Sequence, residues 1–120
     1  MNDILQRIGE LGIVPVVKLD KASDALPLGK ALLEGELPIA EVTFRTDAAE
    51  ESIRIMSREL PELLVGAGTV LTRDQVKKAV DAGAKFIVTP GFNPSVVDYC
   101  VEHNIPITPG INSPSQIEMA

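Results

Sequence analysis

Five short apolar runs recur along the chain at nearly even spacing, and this recurrence limits the fold more than any other feature. Each run is rich in valine or isoleucine, or is apolar throughout, and successive runs start 19 to 26 residues apart. Runs of this length and composition are typical of buried β-strands. The five runs are residues 13–19, 39–44, 63–66, 86–89 and 105–108.

The segments between these runs carry the signals of helices. Residues 3–11, 23–35 and 47–60 each place apolar side chains on one face. Three later segments begin with a capping residue, and two of these have proline at the first helical position. These starts are Thr72-Arg73-Asp74-Gln75, Asn93-Pro94 and Ser113-Pro114-Ser115-Gln116. Strand and helix therefore alternate, which predicts an α/β fold with parallel strands and right-handed connections.

Alternation alone leaves open whether the sheet is doubly wound or closes into a barrel. The chain has 120 residues, whereas a barrel of eight βα units usually needs roughly 200 or more. The last helical pattern begins at Ser113 and continues for about two turns, which is marginal for a helix unless it packs. We therefore expect one domain over residues 1–120, an incomplete barrel of the (β/α)8 TIM-barrel type, truncated after about five βα units.

Composition excludes several classes of function. The formal net charge of -6 argues against a nucleic-acid-binding surface, which is normally basic. No window approaches the roughly 20 apolar residues of a membrane span, and the N-terminus lacks the pattern of a signal peptide. One cysteine, Cys100, and one histidine, His103, leave no internal disulfide and little for a metal site. We expect a cytoplasmic protein with no metal and no cofactor.

The second run carries the strongest candidates for chemistry, because working residues of an α/β barrel lie at the C-terminal ends of strands. Side chains alternate between the two faces of a strand. Polar Glu41, Thr43 and Arg45 share one face, and apolar Ala40, Val42 and Phe44 share the other. If the apolar face packs on helices, Glu41 and Arg45 face the barrel interior, where charge is costly unless it is paired or functional.

Two interpretations of this pair stay open on the residues alone. One is a structural ion pair, since such pairs also occur away from active sites. The other is a carboxylate for proton transfer (Glu41) beside a guanidinium (Arg45) that holds a substrate carboxylate or phosphate at two points.

The ends of the other strands give weaker signals. Gly66 and Gly68 would let the backbone approach a ligand and Thr69 offers a hydroxyl, but the same residues suit a tight turn. Pro90 shapes a rim or simply a turn. Lys18 could bind an anion, although a solvated rim charge is the commoner role. Cys100 falls on the apolar stripe of its helix, and His103 lies near that helix's C-terminus, where a surface or dipole-complementing role is expected.

Several segments together resemble one family. The chain closely resembles the bacterial 2-keto-3-deoxy-6-phosphogluconate (KDPG) and 4-hydroxy-2-oxoglutarate (KHG) aldolases from about residue 8 to its end. Five segments match, and the combination of those at 41–46 and 65–71 is specific to the family, whereas neither alone would be. The segments are G-I-V-P-V-V at 12–17, E-V-T-F-R-T at 41–46, V-G-A-G-T-V-L at 65–71, A-G-A-K-F-I-V-T-P-G at 82–91 and I-T-P-G at 107–110.

The resemblance implies a class I aldolase on a (β/α)8 barrel, usually a homotrimer, which cleaves a 2-keto-4-hydroxy acid to pyruvate and an aldehyde. By matching position, Glu41 is the general acid/base and Arg45 binds the pyruvate carboxylate. Thr69 hydrogen-bonds the same end of the substrate, and Pro90 lines the pocket.

The resemblance also implies a Schiff-base lysine on a sixth strand, in a motif of the type K-F-F-P-A-E, and this position would fall after Ala120. Lys18 is the only substitute within the chain. Two alternatives to catalysis therefore remain: a partial barrel that acts as an assembly or folding unit, and a non-catalytic binder of keto acids through Arg45.

Overall fold

The computed structural model describes residues 2–120, in which helices and strands alternate as expected. The strands are β1 (Val16–Val17), β2 (Ile39–Thr43), β3 (Leu64–Gly68), β4 (Ile87–Thr89) and β5 (Ile107–Pro109). The helices are α1 (Asn2–Leu11), α2 (Ala25–Glu34), α3 (Ala49–Glu59), α4 (Arg73–Ala82), α5 (Pro94–Glu102) and α6 (Pro114–Met119), and a 3-10 turn, Ala22–Asp24, precedes α2.

All five strands are parallel and lie in the sheet in the order in which they occur along the chain, from β1 to β5. A doubly wound sheet reverses its strand order at a switch point, and this sheet has no such reversal. The order is that of a barrel wall, which answers the question that alternation left open. The sheet is open, with β1 and β5 at its two edges.

The core lies between one face of the sheet and the helices. Val42 of β2, Val65 and Ala67 of β3 and Ile87 of β4 pack with apolar side chains of the helices in a single cluster. On α3 the predicted apolar stripe is confirmed, because its four members are all buried: Ala49, Ile53, Met56 and Leu60. Burying a side chain of this size contributes about 1.5–3 kcal/mol, so this layer holds the sheet in shape.

The first strand is much shorter than expected. A strand over residues 13–19 was predicted, but only Val16 and Val17 pair with β2, and Ile13 and Val16 remain 67% and 61% exposed. The reason is position in the sheet, since an edge strand has a neighbour on one side only. β3 in turn runs two residues beyond its predicted end, to Gly68.

The predicted helix caps form. The hydroxyl oxygens of Thr72 and Ser113 accept hydrogen bonds from the backbone N–H groups of Gln75 and Gln116, at 3.2 and 3.3 Å. The side-chain Oε1 of each glutamine accepts a hydrogen bond from the backbone N–H of the residue before the cap. In a capping box it would accept from the N–H of the cap residue itself. These caps fix where α4 and α6 begin at the C-terminal ends of β3 and β5.

Some apolar residues of the later helices face outward. Val80, Val101, Ile117 and Met119 are exposed. Burial requires a neighbouring element, and α4, α5 and α6 present these positions away from the sheet or at its open end. Among residues 2–120, no helix combines the length and the apolar character that a membrane crossing requires.

Candidate active site

The inner face of the sheet, which points away from the core described above, carries the polar side chains of β2. Parallel pairing places Glu41 beside Gly66 and Thr43 beside Gly68 of β3. Val42, between them, packs in the core on the other face. The predicted division of β2 into an apolar face toward the helices and a polar face toward the interior is therefore confirmed.

Gly66 and Gly68 leave space that the protein fills with its own side chains. A Cβ atom at Gly68 would lie 1.8 Å from Oε1 of Glu41, and one at Gly66 would lie 2.3 Å from the ring of Phe86. These contacts give both glycines a packing role, whereas close approach of a ligand to their backbone stays a prediction. The missing side chains let the Glu41 carboxyl and the Phe86 ring lie against β3.

The Glu41 carboxyl is poorly solvated and electrostatically perturbed. The residue is 8% exposed, and burial raises the pKa of its carboxyl group above the ordinary 4.5 because water stabilises the charged form less. The positive charge of Arg45 acts in the opposite direction and lowers that pKa, but burial has the larger effect. Glu41 therefore keeps its proton to a higher pH than an exposed glutamate does.

Arg45 lies in the turn that follows β2 and is exposed. Its Nε donates a hydrogen bond to Oγ1 of Thr43 at 3.0 Å, and that hydroxyl donates to the carbonyl oxygen of Val17 at 2.9 Å. Among residues 2–120, no carboxylate forms a salt bridge with Arg45. Its two terminal Nη groups can therefore bind an anion from outside.

A cleft of about 300 Å3 lies next to Arg45, between the turn after β2 and helices α3 and α4. Lys78 of α4 lies in its wall and pairs with Asp74 at 2.9 Å. Arg45 and Lys78 line one cleft only through packing between segments that lie far apart along the chain, so local sequence pattern does not reveal their proximity. The lining residues are Phe44, Arg45, Thr46, Asp47, Glu50, Gln75 and Lys78.

Thr69 directly follows Gly68 and therefore lies near Glu41. Its φ angle is 54°, in the left-handed region that β-branched residues rarely adopt. Such a conformation costs of order 1–3 kcal/mol and persists only where the surroundings impose it, which is common at functional sites. The strain fixes the direction in which the chain leaves β3.

Pro90 lies farther from this group, at the end of β4, two strands from β2. It is exposed and lines a second, smaller cleft of about 130 Å3 together with Gly91, Gly110, Ile111, Asn112 and Gln116. The structure thus brings Glu41, Arg45 and Thr69 together at the C-terminal ends of β2 and β3. Pro90 occupies the same end of the sheet without joining them.

The remaining candidates have roles outside this group. Lys18 is half exposed and its Nζ lies 3.2 Å from Asp20, as a solvated rim charge would. Cys100 is fully buried, and burial raises the pKa of its thiol to about 11. His103 is exposed at the end of α5, and its ring stacks on that of Tyr99 with 4.1 Å between centroids.

Comparison with known proteins identifies the family. The model of the family described as "KDPG and KHG aldolase" matches residues 4–120. The chain belongs to this aldolase family. It is 50% identical over 119 residues to the 2-dehydro-3-deoxy-phosphogluconate aldolase of Haemophilus influenzae, covering 99% of this chain and 56% of that protein. It is 47% identical over 120 residues to the enzyme of the same name from Treponema pallidum, covering all of this chain and 57% of that protein.

Solved aldolase structures match the fold as well. The KDPG aldolase of Zymomonas mobilis ZM4, crystallised with 3-phosphoglycerate, superposes with a TM-score of 0.92 at 34% identity and covers 99% of this chain and 56% of that one. The KDPG aldolase of Legionella pneumophila, with pyruvate captured as a covalent carbinolamine, gives 0.84 at 36% identity and covers 88% of this chain and 52% of that one. This aldolase-family chain thus has the TIM-barrel-type architecture expected, and spans about half the length of its relatives.

Proposed function

We propose that residues 1–120 supply the acid/base and the carboxylate-binding part of the active site of a class I aldolase. Such an enzyme cleaves KDPG or KHG to pyruvate and an aldehyde. Glu41 is the observation that carries the proposal: its carboxyl is nearly buried, has a raised pKa and lies on the inner face beside Arg45. A structural ion pair is the weaker explanation, because the two side chains form no salt bridge in the described residues.

The proposed role of Glu41 follows from its pKa. A general acid/base works best when its pKa lies near the working pH, and burial moves a carboxyl in that direction. In cleavage, Glu41 would take the proton of the C4 hydroxyl as the C3–C4 bond breaks and the aldehyde leaves. The electron pair of that bond passes to the protonated imine at C2. Glu41 would then return the proton to C3, and water would hydrolyse the resulting imine to release pyruvate and the free amine.

Arg45 is proposed to bind the carboxylate of the keto acid. With Nε engaged by Thr43, the two Nη groups form the face that can hold two carboxylate oxygens. Thr69 would donate a hydrogen bond to the same end of the substrate, and Pro90 would line the pocket toward β4. Holding the carboxylate fixes the distance from C3 and C4 to Glu41, on which the rate of proton transfer depends.

The covalent step needs an amine, and Lys18 is a poor candidate. Its Nζ pairs with Asp20 and is half exposed, so the amine is held by a carboxylate in contact with solvent rather than free in an enclosed pocket. We propose that the amine comes from the part of the relatives' barrel that residues 1–120 do not match. Borohydride treatment of the chain with pyruvate tests this, since a stable adduct on Lys18 would contradict it.

A chimaera tests the proposed function. Residues 1–120 are joined to the part of the Haemophilus influenzae relative that follows the matched segment, and pyruvate release from KDPG and from KHG is measured. We expect activity, a kcat that falls by about 10²–10⁴-fold in Glu41→Gln, and a raised KM in Arg45→Ala. Glu34→Gln, an exposed glutamate on α2, is the matched control. A folded chimaera that is inactive, or one in which Glu41→Gln is fully active, would refute the proposal.

A second candidate function is assembly, favoured by the open sheet. Edges β1 and β5 are both unpaired on one side, and Ile13 beside β1 and Ile111 beside β5 are exposed. A second copy could add its β1 to β5 with all strands still parallel, which would cover both kinds of edge. Sedimentation analysis tests this: a homo-oligomer that dissociates in Ile111→Asp supports it, and a monomer at high concentration excludes it.

We further propose that residues 1–120 form a single incomplete barrel domain, which acts on a small keto acid in the cytoplasm. A homo-oligomer, with the trimer as the family's usual state, is the expected assembly. The single cysteine fits a reducing compartment, where disulfides are rare.

A further inference from the structure

Thr43 lies between the two charged groups of the proposed site and is almost completely buried, with 1% exposed. Its hydroxyl donates to the carbonyl oxygen of Val17 and accepts from Nε of Arg45. Both directions are fixed, because a carbonyl oxygen can only accept and a guanidinium N–H can only donate. The hydroxyl hydrogen is thus committed to Val17, and an oxygen lone pair faces Arg45.

This hydrogen bond determines which edge of the guanidinium is presented. Within residues 2–120 it is the one hydrogen bond that the Arg45 side chain makes. An exposed arginine otherwise samples many rotamers, and ordering such a side chain when a ligand binds costs conformational entropy. With Nε held, the Nη edge points outward before any ligand arrives.

We propose that Thr43 is a positioning residue that presents the Nη edge of Arg45 to the carboxylate of the keto acid. The inference rests on the role given to Arg45 in the proposed function. Thr43 touches no substrate in this arrangement and acts only through Arg45. The residue that pairs with Thr43 on β3 is Gly68, which has no side chain that could support Arg45.

A purely structural role for Thr43 makes a different prediction, and the chain offers a matched control. Thr46 also donates its hydroxyl hydrogen to a carbonyl oxygen near β1, that of Leu19. Thr43 and Thr46 therefore both tie the end of β2 to the segment of β1. Of the two, only Thr43 hydrogen-bonds the side chain of Arg45, so a tether alone would make Thr43→Val and Thr46→Val behave alike.

The test uses the 120-residue chain and two measurements. The first is hydrogen exchange at the Arg45 Nε–H, followed by 15N NMR and assigned with Arg45→Lys. We expect this proton to exchange at least about fivefold more slowly than that of Arg7, whose Nε has no partner in the described residues, because one hydrogen bond of ordinary net strength corresponds to about that factor. The slowing should vanish in Thr43→Val and persist in Thr43→Ser and Thr46→Val.

The second measurement is the affinity for pyruvate. We expect it to fall by about fivefold in Thr43→Val, to recover in Thr43→Ser, and to fall by less in Thr46→Val than in Thr43→Val. Equal exchange at Arg45 and Arg7 in the wild type would overturn the inference even if Thr43→Val did not fold, as would equal loss of affinity in Thr43→Val and Thr46→Val. Slow exchange at Arg45 without any binding of pyruvate would support the positioning of Arg45 while refuting its proposed role.

Discussion

The two glycines of β3 allow a sharp prediction, because alanine at each position meets a different kind of neighbour. At Gly66 the new Cβ would lie 2.3–2.5 Å from three carbon atoms of the buried Phe86 ring. A rigid ring in a packed wall cannot move aside locally, so we expect Gly66→Ala to lower the free energy of unfolding by about 1–3 kcal/mol.

At Gly68 the new Cβ would meet the carboxyl of Glu41, which is the end of a flexible side chain. Oε1 must move from 1.8 Å to at least 3.4 Å, a displacement of about 1.6 Å, and Cδ and Cγ of Glu41, at 2.6 and 2.8 Å from the new Cβ, must move with it. Rotation of the side chain achieves this, and replacing glycine also stabilises by about 0.4–1 kcal/mol through the unfolded chain. We expect Gly68→Ala to change the free energy of unfolding by less than about 1 kcal/mol.

Urea denaturation of the two variants and the wild type measures the stability, and 13C NMR of the Glu41 carboxyl reports its displacement. Gly9→Ala is the control, because nothing lies within 4 Å of the Cβ it adds. In the chimaera, Gly68→Ala should lower kcat by about 100-fold, the usual effect of a displacement near 1 Å. The reasoning is refuted if Gly68→Ala destabilises as much as Gly66→Ala, or if the Glu41 resonance stays in place.

Three further predictions concern titration. Arg45→Ala should raise the pKa of Glu41 further, because it removes the charge that opposes burial; 13C titration measures this, and Arg58→Ala should leave that pKa as it is. The folded-state pKa of Glu41 lies above the unfolded value near 4.5. The contribution of Glu41 to the free energy of unfolding is therefore lost as pH rises from the unfolded pKa through the folded-state pKa. Glu41→Gln should therefore gain stability relative to the wild type as pH rises from 4 to 7 in urea titrations, and a constant difference would contradict this. Cys100, with its thiol pKa raised to about 11, should react with iodoacetamide at pH 8 only as the chain unfolds, so a urea-independent rate would contradict its burial.

Much of the architecture could be predicted from local pattern. The alternation of apolar runs with capped helical segments predicted the five parallel strands, and the cap of α4 at Thr72 formed where the sequence placed it. The stripe of α3 was correct because its apolar period matches the helix and both the sheet and α2 are available to bury it. The spacing of apolar residues was sufficient wherever the helix has neighbouring elements on its apolar face.

The failures have one physical cause, which is the unknown neighbour. The run at 13–19 is as apolar as a central strand, yet only Val16 and Val17 pair, since β1 lies at an edge. Val101 fits the stripe of α5 by spacing but meets no partner. The sequence shows which residues are apolar enough to be buried, but not whether another element lies against them.

The candidate site divides in the same way. Alternation along β2 predicted that Glu41 and Arg45 share the inner face, and burial of Glu41 agrees with it. The two hydrogen bonds of the Thr43 hydroxyl, to Val17 and to Arg45, could not be predicted, because the first joins β1 and β2 across 26 residues of chain. The same holds for the fit of Glu41 against Gly68, which depends on the register of β2 on β3.

In the proposed function, Glu41 moves protons at the reacting atoms of a bound keto acid, including C3. Exchange of the methyl protons of pyruvate with deuterated water, followed by NMR in the chimaera, measures this step without cleavage of a substrate. We expect exchange in the wild type and in Glu34→Gln, and a rate at least about 100-fold lower in Glu41→Gln. Exchange at the wild-type rate in Glu41→Gln would contradict it.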